Sequence, residues 1–234
     1  MARRLLLIST STVFGTRYLE HAFADLREVL AGVRRVLFIP HALEDHAGYA
    51  AKARAAFEEI GFELDSLHEA SDPRQAVQGA EAVFCGGGNT FRLLDRLVRL
   101  DVLDALRIRA LEGMPYTGAS AGSNLACPTI MTTNDMPIVE PATFSALGLV
   151  SFQINPHYQD PAPGSTHMGE TRETRIREFH EENAAPVVGL REGALLRIEG
   201  ESVELRGTAG ARIFRRGQEP VEVAPVTSIQ ALLG

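Results

Sequence analysis

The first 122 residues alternate short apolar runs with segments whose apolar side chains recur at helical spacing, and this alternation most constrains the fold. Residues 5–9 form an apolar run that stops at a polar, glycine-containing turn, after which Leu19, Phe23, Leu26 and Leu30 recur every three to four positions. Residues 36–39 form the next run, stopped by Pro40, and Tyr49, Ala53, Phe57 and Ile60 make a second helical face ended by Gly61. A weaker strand follows over 62–67. Asp72-Pro73 then supplies an N-cap and a proline at the first helical position of a short helix. A fourth strand over 82–85 runs into Gly86-Gly87-Gly88, followed by helices over 90–99 and 102–111 and a fifth strand over 115–118. Such alternation builds right-handed βαβ units, so the spacing predicts a three-layer α/β fold with a mostly parallel sheet and helices on both faces. After Gly189, short strands over 194–198, 202–205, 212–214 and 221–223 predict a short antiparallel C-terminal extension.

The chain has 234 residues and shows neither an internal repeat nor a Pro/Gly/Ser linker, so residues 1–234 are expected to form a single domain. No apolar run approaches the length of a membrane span, and the apolar start at 5–8 lacks the cleavage site of a signal peptide. Cys85 and Cys127 are too few for a disulfide framework or a four-cysteine zinc site, and a reducing cytoplasm is the natural compartment. The net charge of −7 does not favour a nucleic-acid partner. Of 23 basic residues only Lys52 is a lysine, which we read as compositional bias rather than an arginine-specific function.

Ligands in open parallel sheets sit beyond the carboxyl ends of the strands. Two segments stand there. Gly118-Ala119-Ser120-Ala121-Gly122 has the Gly-x-Ser-x-Gly form of a nucleophile elbow, in which small neighbours relieve a crowded strand-to-helix turn. Gly86–Asn89 lacks the lysine and spacing of a phosphate loop, but it fits a donor loop facing the serine. Ala121 and Gly88 are accordingly the candidate oxyanion donors.

A serine needs a base to take its proton. Among His21, His41, His46, His68, His157, His167 and His180, the one best placed is His157, which follows an apolar run and sits in Asn155-Pro156-His157-Tyr158 just past a strand end. A carboxylate must orient that base. Asp135, in the polar patch Thr132-Thr133-Asn134-Asp135, and Glu192, just after the apolar run 187–190, both qualify.

Taken together, several segments resemble peptidase E, the aspartyl dipeptidase family of serine peptidases. They are Gly86-Gly87-Gly88-Asn89-Thr90-Phe91; the run from Gly118 to Ile130; Thr132-Thr133-Asn134-Asp135-Met136-Pro137-Ile138-Val139; Ile154-Asn155-Pro156-His157; and Gly169-Glu170-Thr171-Arg172-Glu173. The resemblance implies a fold similar to class I glutamine amidotransferase domains, with serine at the elbow, and cytoplasmic hydrolysis of dipeptides that begin with aspartate. It implies Ser120 as nucleophile and His157 as general base. Asp135 would be the charge-relay acid, with Glu192 in a matching position and with a competing claim. Arg172 would hold the substrate carboxylate, for which a planar guanidinium is well suited. No metal or organic cofactor is implied, and the partner is a small peptide, neither nucleic acid nor membrane, acted on by a monomer or homodimer. A distinct C-terminal end and small differences between His157 and Gly169 bear on the length of the substrate loop. A cyanophycinase-like β-aspartyl peptidase and a general serine esterase or acyltransferase are the competing readings.

Overall fold

A computed structural model describes residues 3–160, 164, 166 and 169–233. Five parallel strands form one side of an eight-stranded sheet: β1 (Arg4–Ile8), β2 (Arg35–Ile39), β3 (Glu63–Ser66), β4 (Ala82–Cys85) and β5 (Tyr116–Ala119). The helices between them are α1 (Phe23–Val29), α2 (His46–Glu59), α3 (Pro73–Gly79), α4 (Thr90–Arg99) and α5 (Leu103–Leu111), and α6 (Ala121–Leu125) follows β5. The strands alternate which face each side chain enters. Leu6 and Ile8 of β1, Phe38 of β2 and Phe84 of β4 pack with Leu26, Tyr49, Ala53 and Phe57, the buried faces of α1 and α2. Leu5, Leu7, Val83 and Cys85 point the other way, against Leu93, Leu94 and Leu97 of α4, Leu106 of α5 and Leu125 of α6. Each fully buried leucine contributes about 1.5–3 kcal/mol, so packing rather than helix propensity holds these layers.

The start of α3 was legible in Asp72-Pro73, and α2 and α4 open on caps of the same kind. Asp45, Asp72 and Asn89 accept hydrogen bonds from Gly48, Gln75 and Arg92 N–H respectively, and Pro73 occupies the first helical position. The helical face predicted from Leu19 to Leu30 is interrupted. Leu19 adopts a left-handed conformation (φ 59°), and one 3₁₀ turn precedes α1.

The remaining strands are β6 (Gln153–Pro156), β7 (Val187–Leu190), β8 (Ala194–Glu199), β9 (Ser202–Gly207), β10 (Ala211–Phe214), β11 (Val221–Val223) and β12 (Thr227–Ser228), with α7 (Arg172–Glu182) between β6 and β7. The antiparallel extension is present but divided between two sheets. β8, β9 and β12 continue the main sheet, in the order β12-β9-β8-β1-β5-β4-β2-β3. β10 and β11 instead join a second sheet, β11-β10-β7-β6, in which β6 and β7 are parallel. Ile154, Val188, Leu190, Ala211 and Ile213 of this second sheet pack into the apolar layer shared with α4–α6. Short strands without a long alternating pattern do not encode which sheet they enter. Among the described residues, no helix is long and apolar enough to cross a membrane.

Candidate active site

The site forms where β1, β4 and β5 end side by side, with Ile8 opposite Ala119 and Cys85 opposite Gly118. Ser120 is the residue between β5 and α6, and its backbone is strained, at φ 52° and ψ −106°. A non-glycine residue held there costs about 1–3 kcal/mol, so the surroundings must over-determine it. They do. Ser120 N–H donates to Ile8 C=O (2.9 Å), and Ser120 C=O accepts from Ser123 and Asn124 N–H (2.9 and 3.0 Å). The buried Ser123 hydroxyl lies 2.8 Å from Ile8 O and 2.9 Å from Gly118 O, and Tyr116 Oη donates to Gly122 C=O (2.7 Å). The two motif glycines are required by close approach. A Cβ on Gly118 would lie 2.4 Å from Gly122 O, and one on Gly122 would lie 2.2 Å from Cys85 O.

His157 sits just past β6, also at positive φ (52°). Its N–H donates to Ser9 Oγ (3.0 Å), and Ser9 Oγ donates in turn to Leu190 C=O (2.7 Å). Ser9 is fully buried and couples the end of β1 to the ends of β6 and β7 in the second sheet. The imidazole Nε2 lies 2.9 Å from Ser120 Oγ, and Nδ1 lies 2.8 Å from Glu192 Oε1. An ionised carboxylate only accepts, so Nδ1 carries the proton and donates to Glu192, which leaves Nε2 to accept from the serine hydroxyl. Glu192 reaches this position because β6 and β7 pair with Pro156 opposite Leu190, and because the turn after Arg191 carries the chain from the second sheet back to β8 of the first.

Asp135 lies elsewhere in the same cavity. Its Oδ2 accepts from Thr90 N–H (2.7 Å) and the Thr90 hydroxyl (2.6 Å), with Thr133 Oγ1 at 3.1 Å. It therefore satisfies free donors at the N-terminus of α4. Among the described residues no hydrogen bond joins Asp135 to His157. The structure thus brings Glu192, of the two candidate acids, against the imidazole and leaves Asp135 facing the cavity.

The polar loop carrying Asp135 also fixes the strand that carries His157. Asn134 Nδ2 donates to Pro156 C=O (2.6 Å), Asn155 Nδ2 donates to Thr132 C=O and Asn134 Oδ1 (2.9 and 2.8 Å), and Thr132 and Asn124 both donate to Ile154 C=O. Sequence reasoning did not give Ser9, Ser123, Asn124, Asn134 or Asn155 a role. Small polar residues flanking the motifs were the available signal.

The glycine loop lies against the elbow: a Cβ on Gly87 would be 3.2 Å from Ser120 Cβ. Gly86 and Asn89 N–H donate to Ile39 and Ala42 C=O, and Gly87 N–H faces the Tyr49 phenol. Among the described residues no backbone carbonyl accepts from Gly88 or Ala121 N–H. Burial pushes the Tyr49 phenol up to about 12, so it stays protonated. The cavity has a volume of about 620 Å³ and is lined by Ser120, His157, Asp135, Gly87 and Gly88, together with Ser11, Tyr18, Tyr49 and Lys52.

Arg172 opens α7, behind the Thr171 cap that accepts from Thr174 N–H. It is half-buried, and no carboxylate lies within ion-pair distance of it among the described residues. Burial lowers its affinity for the proton, Arg175 adds to this, and the Asp135 charge opposes both. Arg172 and Asp135 are thus close enough to share a field. His167 lies outside the described residues. No group of three or more His, Cys, Asp or Glu side chains is arranged to hold a metal ion among the described residues.

Residues 5–206 match the model of peptidase family S51. The chain is 53% identical to a peptidase E of Streptomyces coelicolor over 229 residues, covering 98% of this chain and 94% of that protein. It is 47% identical to a "probable alpha-aspartyl dipeptidase" of Drosophila melanogaster over 235 residues, covering 99% and 98%. The crystal structure of a peptidase from an acI-B1 actinobacterium superposes with a TM-score of 0.72 at 17% identity, covering 98% of this chain and 97% of that one, and shares its fold.

Proposed function

The chain belongs to peptidase family S51, and we propose that it is a serine dipeptidase that hydrolyses dipeptides with an N-terminal aspartate through an acyl-enzyme on Ser120. One observation carries the reading: a continuous relay from Glu192 through His157 to a serine held on a strained elbow, with links of 2.8 and 2.9 Å. Ser120 Oγ attacks the peptide carbonyl carbon as its proton passes to His157 Nε2. Glu192 stabilises the imidazolium. The N–H groups of Gly88 and Ala121 stabilise the oxyanion. His157 then gives its proton to the leaving amine as the C–N bond breaks. Water, deprotonated by the same nitrogen, releases aspartate and restores Ser120.

The two charged groups on the acyl side fit an N-terminal aspartate. Arg172 would receive the side-chain carboxylate as a planar fork. Asp135, whose Oδ2 is already held by Thr90, would face the α-ammonium as an acceptor rather than orient the base. The site draws on residues 9 to 192 and on both sheets, which supports a single catalytic domain. The two buried free cysteines are in keeping with a cytoplasmic location.

The test is Ser120→Ala assayed on Asp-Leu, with circular dichroism to confirm the fold. Loss of at least a thousandfold in kcat is expected, and near-normal turnover refutes the mechanism. A panel of dipeptides differing only in the first residue, together with a β-aspartyl peptide and a simple ester, separates this reading from β-aspartyl peptidase and general esterase activity.

A further inference from the structure

The lining of the cavity includes a cation that the mechanism has not used. Lys52, the one lysine of the chain, projects from α2 into the same cavity as Ser120 and His157. Its Nζ stands 4.6 Å from the centre of the Tyr18 ring. That ring is fixed: Tyr18 is buried, packs edge-on to Tyr49 at 6.2 Å, and has its hydroxyl 3.4 Å from that of Tyr49. Burial holds the Tyr18 phenol well above its ordinary range, so Lys52 rests on a neutral aromatic face, which attracts a cation without neutralising it. Among the described residues no carboxylate lies within 4.0 Å of Lys52 Nζ. Asp45, which also lines the cavity, is engaged in capping α2 through Gly48 N–H (2.9 Å).

The fold sets the direction of a bound peptide. Tyr18 and Tyr49 belong to the apolar layer on one face of the main sheet, with α1 and α2. Asp135 caps α4, whose leucines belong to the layer on the opposite face, and Arg172 starts the helix that covers the second sheet on that same side. Ser120 lies between the two, at the carboxyl edge of β5. A substrate held at Arg172 and Asp135, with its carbonyl over Ser120, therefore sends its leaving residue towards α2. A dipeptide spans about 7 Å when extended, and its leaving residue ends in a free carboxylate. An Asp-X dipeptide brings two carboxylates and one ammonium; Lys52 and Asp135 line the cavity, and Arg172 lies close enough to Asp135 to feel its charge.

Building on the Asp-X dipeptidase reading, we infer that Lys52 receives the C-terminal carboxylate of the leaving residue and is the specificity determinant for a free peptide C-terminus. The test compares Asp-Leu with its C-terminal amide, Asp-Leu-NH₂, on wild type, Lys52→Met and Lys52→Arg. A charge-assisted hydrogen bond at a solvent-open site corresponds to about tenfold in kcat/KM. Wild type should therefore prefer Asp-Leu by about tenfold, through KM. That ratio should fall to about one in Lys52→Met and be largely kept in Lys52→Arg. An unchanged ratio in Lys52→Met overturns the inference even if both rates drop, because a purely structural role lowers both together. Equal wild-type rates on the two substrates overturn it too, and leave the dipeptidase reading standing. If wild type cleaves neither substrate, the dipeptidase reading itself fails.

Discussion

Converting Glu192 to glutamine isolates what the carboxylate does for His157, because the change keeps the shape of the side chain and removes only its charge. In the acyl-transfer transition state the imidazole becomes cationic, with the carboxylate centre about 4 Å away across the 2.8 Å contact. The side chains of His157 and Glu192 are 34% and 47% exposed, so solvent screens the pair and an effective dielectric constant of about 20–40 applies. Coulomb's law then gives about 2–4 kcal/mol, or roughly a 30- to 1,000-fold loss in kcat. KM should change little, because the interaction strengthens only as the proton moves to the imidazole in the transition state. Asp135→Asn should show the opposite pattern: about a tenfold rise in KM with kcat within a few-fold of wild type, as expected for a group that binds the α-ammonium equally in both states. The assay is steady-state hydrolysis of Asp-Leu by both variants, with thermal melts to confirm folding. A larger kcat loss in Asp135→Asn than in Glu192→Gln, at unchanged KM, would assign the orienting role to Asp135 and refute the reasoning from geometry.

Two further outcomes can be checked. Arg172→Met should lower kcat/KM for Asp-Leu about 10–100-fold, the worth of a charge-assisted bond, and erase the preference for aspartate over alanine at the first position. An intact preference in a first-residue panel would remove Arg172 from recognition. His41 is buried beside His46, with its Nδ1 unpartnered among the described residues. Burial, aided by His46 and His68, brings its imidazole down to about 4. Unfolding restores an ordinary value near 6.5, so stability from keeping His41 neutral is complete above about pH 6.5 and drains away as pH falls towards 4. The loss is on the order of 2 kcal/mol, so the melting temperature should drop about 4–8 °C more between pH 7 and pH 4.5 in wild type than in His41→Asn. Parallel melting curves would contradict this.

Much of the molecule was legible before any coordinates. Apolar runs and helical spacing are local properties, and they marked β1, β2, β4, β5, α4 and α5 to within a residue. The elbow was equally plain, because only glycine fits where Gly118 meets Gly122 and Gly122 meets Cys85. His157 stood out for the same local reason, a polar ring just past a strand end.

The choice between Asp135 and Glu192 was not local. Both are turn carboxylates after an apolar or polar run, and nothing in either segment says what it faces. Glu192 meets His157 because β6 and β7 pair in parallel with Pro156 opposite Leu190, a contact between segments more than thirty residues apart. Asp135 is drawn instead to the free donors of α4, about forty-five residues upstream. The same distinction divides the C-terminal strands between two sheets and sets Lys52, read in the sequence only as a sign of compositional bias, on the wall of the cavity. Side-chain periodicity fixes which face of an element is buried, but only the assembled layers decide which distant element covers it, and the chemistry of this site depends on those distant meetings.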